Sequence, residues 1–292
     1  MPRHKLWSDD EPDHHEVIRS TPRQFNFSDD PVAGDGDRWS TWDLSRAGER
    51  GPKPRPDWLV TELAAVDIER GVLKTGKEAD VHLLWRGVPD TDRGCLLAAK
   101  RYRDAQHRQF HRDAAYTEGR RVRRSREMRA MRTRTSFGKD LLAGQWAATE
   151  FAALGTLWSA GAAVPYPVQI VGTELLLEFI GDADGVAAPR LAELPDRGAA
   201  LDPLWDQLVE LLVRLARAGI AHGDLSAYNL LVHEGRLVMI DLPQVVDVIA
   251  NPQGRTFLDR DAANVAAFFD RRGRPTEVAE LVELLHAEAR LR

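Results

Sequence analysis

The chain has 292 residues, 43% hydrophobic and 29% charged, the composition of a soluble globular protein with room for one large domain or two lobes sharing a cleft. Its formal net charge of −5 conceals an asymmetry, because twelve arginines and four acidic residues lie between Arg101 and Arg134, an excess of eight positive charges. A single cysteine, Cys95, excludes an internal disulfide and fits a reducing cytosol. The opening MPRHKLWSDDEPDHHEV has no apolar core of the secretory kind, and apolar runs such as Leu175 to Ile180 are too short to cross a bilayer. A cytoplasmic protein with no membrane partner is expected.

Residues 1–55 are rich in Asp, Arg, Pro, Ser and Gly without sustained periodicity, which predicts a disordered polar tail. A short helix is expected in DWLVTELAAV, with Asp57 as N-cap after Pro56. VLKTGKEADVHLLW predicts strand, turn, strand, and CLLAAKRY a third strand. After the arginine-dominated stretch, Trp146, Phe151, Leu154 and Leu157 are spaced for the buried face of a helix from about Gln145 to Trp158. VQIVGTELLLEFI predicts a hairpin turning at Gly172-Thr173 and stopped by Gly181.

The second half is mainly helical. Leu204, Leu208, Leu211, Leu212 and Leu215 form an apolar stripe that Gly219 terminates. Two short strands, LLV and LVMI, follow IAHGDLSAYN, and helices are expected around 259–270 and 276–290. Strands first and helices second, with a short link near Gly181, predict an α+β fold of two unequal lobes.

The strongest chemical signal is His222-Gly223-Asp224-Leu225-Ser226-Ala227-Tyr228-Asn229, followed by Asp241 at the end of a strand. This is the form of a kinase catalytic loop, H-x-D-L-x-x-x-N, with its metal-binding aspartate after a hairpin. One carboxylate, Asp224, would stand near an attacking hydroxyl, while Asn229 and Asp241 would hold Mg²⁺ against the phosphates of ATP. Lys100 ends the third strand in Leu-Ala-Ala-Lys, where a kinase lysine contacts phosphates, and Glu150 on the next helix is its natural partner. Gly71 to Lys77 spells G-x-x-x-x-G-K, but Glu78 replaces the Ser or Thr that Mg²⁺ needs and the flanks are both strands, so a Walker A loop is excluded. His107 and His111 are four apart but lack a third ligand among many arginines, and Cys95 fits a small core residue.

Taken together, TGKEAD, AAKRYR, Tyr116 with Glu118-Gly119-Arg120, WAATEFAAL, the set Ala160, Gly161, Val164, Pro165 and Pro167, LEFIG, HGDLSAYNLLV, MIDLPQVVD and FLDRDAANVAAFF resemble the RIO atypical protein kinases, nearest the Rio1 branch in its bacterial form. The resemblance runs from about residue 58 to 272. It implies a trimmed two-lobed kinase fold over 56–292, with a small lobe over about 56–180 and a helical lobe over about 181–292. It implies ATP and Mg²⁺ as cofactors and serine/threonine protein kinase or ATPase activity. It also implies a turn of Thr75, Gly76, Lys77 and Glu78 over the phosphates, and the backbone of Glu178 and Ile180 against the adenine. Gly223 stands where ordinary kinases have Arg, and Leu-Pro-Gln follows Asp241 with no D-F-G or A-P-E, so the platform that docks peptide substrates is expected to be missing.

Two other functions remain open on the residues alone. A small-molecule kinase of the aminoglycoside or choline type shares the HGD loop, although the TGKEA turn and the arginine-rich insert speak against it. An ATP-switched RNA or ribosome-assembly factor would use Arg101 to Arg134 as its nucleic-acid contact, since arginine binds phosphate oxygens bidentately. The protein substrate is not legible.

Overall fold

The computed structural model describes residues 37–103 and 136–290. Its first half is a six-stranded antiparallel sheet in the order β1-β2-β3-β4-β6-β5. The strands are β1 (Arg38–Trp39), β2 (Val66–Thr75), β3 (Ala79–Gly87), β4 (Gly94–Tyr102), β5 (Pro167–Val171) and β6 (Glu174–Glu178). Helix α1 (Ser136–Ser159) packs on β4, β5 and β6. Side chains alternate across a strand, so β4 sends Cys95, Leu97 and Ala99 to one face and Leu96, Ala98 and Lys100 to the other, which borders the cleft.

The face carrying Leu97 and Ala99 is covered by the segment before β2, which corrects the expected tail from residue 37 onward. Trp42 is buried with Leu59, Val60, Ala65, Tyr166 and Val168 in a second, smaller core. Arg50 and Arg55 place their guanidinium groups 4.7 and 4.9 Å from the Trp42 ring centre, a cation–π arrangement that adds to this apolar packing. Gly51 donates to the Val168 carbonyl at 3.0 Å, and a Cβ there would stand 2.0 Å from the Pro167 carbonyl oxygen. Polar burial completes the anchor. Arg86 makes two bonds to Asp67, at 2.6 and 2.9 Å, and one to Gln169 at 3.0 Å, while Gln169 donates to Thr41 at 2.7 Å. Residues 1–36, the remainder of the expected tail, lie outside the described residues.

The helix expected over DWLVTELAAV does not form; turns lead into β2 instead. Leu63, which a helix would align with the buried Leu59, is 80% exposed, while Ala65 and Val66 are buried at the start of the strand. Only the start of the basic segment is described. Arg101 pairs with Glu69 and Glu174 at 2.9 and 2.8 Å, and Arg103 is bidentate to Asp80, so both are neutralised within the sheet. The rest of that segment, with His107 and His111, lies outside the described residues.

The second half holds α2 (Asp202–Arg217), β7 (Ile220–Ala221), β8 (Leu230–His233), β9 (Arg236–Met239), β10 (Val246–Asp247), α3 (Gly254–Arg271) and α4 (Val278–Glu288). Leu204, Leu208, Leu211, Leu212 and Leu215 face a core shared with Leu258, Val265, Phe269, Leu281 and Leu285. Gly219 follows α2 at φ +72°, the left-handed stop its position predicts. Two small ribbons, β7 with β10 and β8 with β9, brace the loop between them. No helix among the described residues is long and apolar enough to cross a membrane.

Candidate active site

Lys100 is the meeting point of the two lobes. Its Nζ donates to Glu150 Oε1 at 2.8 Å and to Asp241 Oδ1 at 2.6 Å. Burial alone would lower this lysine; the two carboxylates overcome that and hold it well above its ordinary value. Burial likewise opposes ionisation of Asp241, and the neighbouring Lys100 charge reverses the effect and leaves its carboxyl below the usual range. The pair foreseen from the sequence, Lys100 and Glu150, is therefore formed, and Asp241 is brought to it.

Glu150 is placed by the geometry of α1. The buried positions Ala143, Ala147, Glu150, Leu154 and Leu157 recur every three or four residues, so the acid occupies one slot of an apolar stripe. Trp146 and Phe151, assigned to that stripe from the sequence, flank it half-buried. A carboxylate in such a slot requires partners, and Glu150 has three. Besides Lys100, its Oε1 accepts from the Leu242 N–H at 3.0 Å, and its Oε2 accepts from the Tyr102 hydroxyl. Tyr102 was not singled out by sequence reasoning; its position two residues after Lys100, hence on the same face of β4, was the available signal.

The catalytic-loop residues sit between β7 and β8. His222 is buried, Asp224 is exposed, and Ala227–Asn229 form one 3-10 turn. Asn229 Oδ1 accepts from the Ser226 N–H and hydroxyl at 3.1 and 2.8 Å, which fixes the amide at the head of β8. The backbone of Asn229 accepts from Ile240 at 2.8 Å, so the ribbon sets the distance from Asn229 to Asp241. Asp241 adopts φ +68°, a conformation uncommon for a non-glycine residue and found where function constrains the chain.

A further residue that supports this loop escaped the sequence reading although its motif was noted. Asp261 on α3 is buried and accepts from the Gly223 and Leu225 N–H groups at 2.8 and 3.0 Å, from either side of Asp224. Burial raises its carboxyl, opposed by the nearby His222 and by these two bonds. Asn264 donates to the Leu225 carbonyl at 3.2 Å, and Arg260 to that of Gly223 at 2.5 Å. Gly223 itself has φ +88°, and a Cβ there would stand 2.3 Å from the Gln244 carbonyl oxygen. A side chain here, the arginine of ordinary kinases included, would not fit without a backbone shift.

Two other predicted elements border the cleft. In the β2–β3 turn the Gly76 N–H donates to the Ala79 carbonyl at 3.0 Å, and a Cβ on Gly76 would meet that oxygen at 2.8 Å. Thr75 lies opposite Asp80, which lies opposite Arg101, so its side chain is on the face away from Lys100. At the link between lobes the Glu178 N–H donates to the Tyr166 carbonyl, and the Ile180 carbonyl accepts from Ala188, both at 2.9 Å. The Glu178 carboxylate accepts from the Tyr166 N–H at 2.9 Å, and burial pushes it above the ordinary glutamate value. After Asp241 only Leu242 to Gln253 precede α3, as the missing peptide platform requires.

The chain matches the RIO domain family over residues 92–281. It is 37% identical over 221 residues to the RIO-type serine/threonine-protein kinase Rio1 of Haloferax volcanii, which covers 75% of this chain and 69% of that protein. The chain belongs to the RIO family. It is 27% identical over 237 residues to the serine/threonine-protein kinase RIO1 of Saccharomyces cerevisiae, but spans only 46% of that longer protein. Among solved structures, the Rio2 kinase of Chaetomium thermophilum in an ADP/Mg²⁺-phosphoaspartate complex aligns with a TM-score of 0.55 at 20% identity, over 76% of this chain and 66% of that one. That likeness shows the trimmed kinase fold. As a RIO protein, the chain is an ATP-dependent phosphotransferase of the serine/threonine kinase type, and the small-molecule alternative is not favoured.

The donor set fits a hard cation bound together with phosphates. Asp241 offers carboxylate oxygen on a side chain 43% exposed, and the Asn229 oxygen would have to give up one of its two Ser226 hydrogen bonds to join it on a cation. No group of three or more His, Cys, Asp or Glu among the described residues could hold a metal by itself. Mg²⁺ is held in this way elsewhere, by one or two carboxylates and the substrate's phosphate oxygens.

Proposed function

We propose that this chain transfers the γ-phosphoryl group of ATP to a protein Ser or Thr hydroxyl or to water, with Mg²⁺ held by Asn229 and Asp241. The observation that supports this most is the bridge of Lys100 between Glu150 and Asp241, at 2.8 and 2.6 Å. It aligns a phosphate-binding cation from β4 with a metal-binding carboxylate from the other lobe. Mg²⁺ supplies neutralisation of charge on the β- and γ-phosphate oxygens. Lys100 turns its ammonium to the phosphates, Glu150 keeps it oriented, and Asp224 accepts the proton of the attacking hydroxyl or water. Gly76 and Lys77 cover the phosphates, Thr75 contributing through its backbone. An adenine ring uses the Glu178 carbonyl and the Ile180 N–H, because the other backbone polar group of each already has a partner.

The short link after Asp241 favours a second outcome of the same chemistry, in which water is the acceptor. The Rio2 relative carries a phosphoaspartate beside ADP and Mg²⁺, so here an aspartate oxygen attacks the γ-phosphorus, ADP leaves, and water then releases phosphate from the acyl phosphate. One single-turnover assay with γ-labelled ATP separates the readings. Label on protein that survives acid and hydroxylamine supports Ser or Thr transfer; label removed by hydroxylamine, or found only as free phosphate, supports the water route. Label left on ATP overturns both.

A further inference from the structure

The cleft face of the sheet carries a second lysine. In the register of β2, β3 and β4, Lys74 lies opposite Val81 and Val81 opposite Lys100, so the two lysines share a face two strands apart. Adjacent strands are about 4.8 Å apart, which puts their Cα atoms roughly 10 Å from each other, within reach of one polyphosphate for two side chains of this length. A register shift between Val72 and Lys74 sets this placement: without it, Lys74 would fall on the outer face and Thr75 on the inner. Lys100 donates to Glu150 and Asp241 and keeps one N–H for a ligand, whereas no hydrogen bond or ion pair holds the Lys74 ammonium among the described residues. Its strongest electrostatic neighbours are Arg190, Asp241, Lys100 and Glu193. Arg190 comes from the opposite lobe, where its backbone bridges Leu231, two residues beyond Asn229. Loss of solvent and the Arg190 charge both press the lysine below its ordinary value. Two cations, one from each lobe, thus act on each other beside the Asp241 and Glu193 carboxylates.

Like charges brought together in this way favour a further anion between them, and on the nucleotide reading above that anion is a phosphate. We propose that Lys74 is a further phosphate-contacting residue which, with Arg190 across the cleft, clamps the terminal phosphates of the nucleotide and gives the site its preference for a triphosphate. The lysine supplies a mobile point charge, Arg190 a planar donor from the other lobe, so the clamp also draws the lobes together.

Calorimetric titration of the full chain with ATP, ADP and AMP, in the presence of Mg²⁺, tests this in wild type, Lys74→Met, Lys74→Arg, Arg190→Met, the Lys74→Met/Arg190→Met double variant and Lys100→Met. Loss of a charge-assisted contact predicts ATP affinity lower by about tenfold or more in Lys74→Met, AMP affinity unchanged, and recovery in Lys74→Arg. The double variant loses less than the product of the single losses, because both residues hold one phosphate. Wild-type ATP affinity in Lys74→Met, alongside a loss in Lys100→Met, overturns the clamp and leaves the nucleotide reading standing. An equal loss for AMP and ATP also overturns it, assigning Lys74 to the hairpin's structure. No effect of Lys100→Met on any nucleotide removes the nucleotide reading itself, and the clamp with it.

Discussion

Tyr102 donates its hydroxyl proton to Glu150, the carboxylate that orients Lys100. The phenol is buried, its ring centre is 5.2 Å from the lysine Nζ, and burial followed by the Glu150 charge raises its own ionisation far above the ordinary value. It therefore stays a neutral donor at every working pH and fixes one oxygen of Glu150 while the other serves Lys100 and Leu242.

Tyr102→Phe should keep the fold and lose this lock. A hydrogen bond to a charged group contributes about 1.5–3 kcal/mol, so kcat/KM for ATP should fall by roughly tenfold or more. A purely structural tyrosine would instead lower the midpoint of urea unfolding and leave the kinetics of the folded fraction unchanged.

Asp261 should matter as a support of the catalytic loop. Asp261→Ala leaves two buried N–H groups, those of Gly223 and Leu225, without their acceptor, at a cost of about 1–3 kcal/mol each. Asp261→Asn keeps one acceptor oxygen and should fall between wild type and Ala in both urea stability and turnover. Equal stability of all three proteins would remove this role.

Much of this site was legible in the sequence, and the boundary of legibility is physical. Asp224, Asn229 and Asp241 could be nominated because a loop and a short ribbon fix their spacing along the chain. Lys100 and Glu150 were paired because strand and helix follow in order. Tyr102 and Asp261 were not assigned roles, because their work depends on which buried group a distant element brings to them. The ordered segment from residue 37 was missed for a related reason: Trp42 is one apolar side chain among polar neighbours, and its burial depends on two arginines and a sheet face supplied from elsewhere. Thr75 and Lys74 exchanged faces through one register shift, which no periodicity in the sequence announces.

Gly223 should not tolerate the arginine found at this place in ordinary kinases, nor even a methyl group. Its left-handed φ and the Gln244 carbonyl 2.3 Å from a built Cβ predict that Gly223→Ala is destabilised by about 1–3 kcal/mol and slowed in turnover. Chemical denaturation checks the first effect. A fully stable, fully active Gly223→Ala would show that the loop can shift away from Gln244.

The metal assignment predicts that Asp241→Ala changes the Mg²⁺ dependence as well as the rate, since one of the two residues that would hold Mg²⁺ is removed. Titration of Mg²⁺ against turnover at saturating ATP should shift to higher concentration. An unchanged midpoint would move the metal to other ligands.

The most direct test of phosphoryl transfer by this site is a single-turnover experiment with γ-labelled ATP on wild type and Asp224→Asn. The amide keeps the shape of the side chain but cannot accept a proton, and loss of a positioned base lowers the rate by about 10²–10⁴. Wild type should release the label from ATP only when Mg²⁺ is present, while Asp224→Asn should bind ATP within a few-fold of wild type and transfer label at no more than about 1% of the rate. Equal transfer by the two proteins, or release of label without Mg²⁺, would contradict the account.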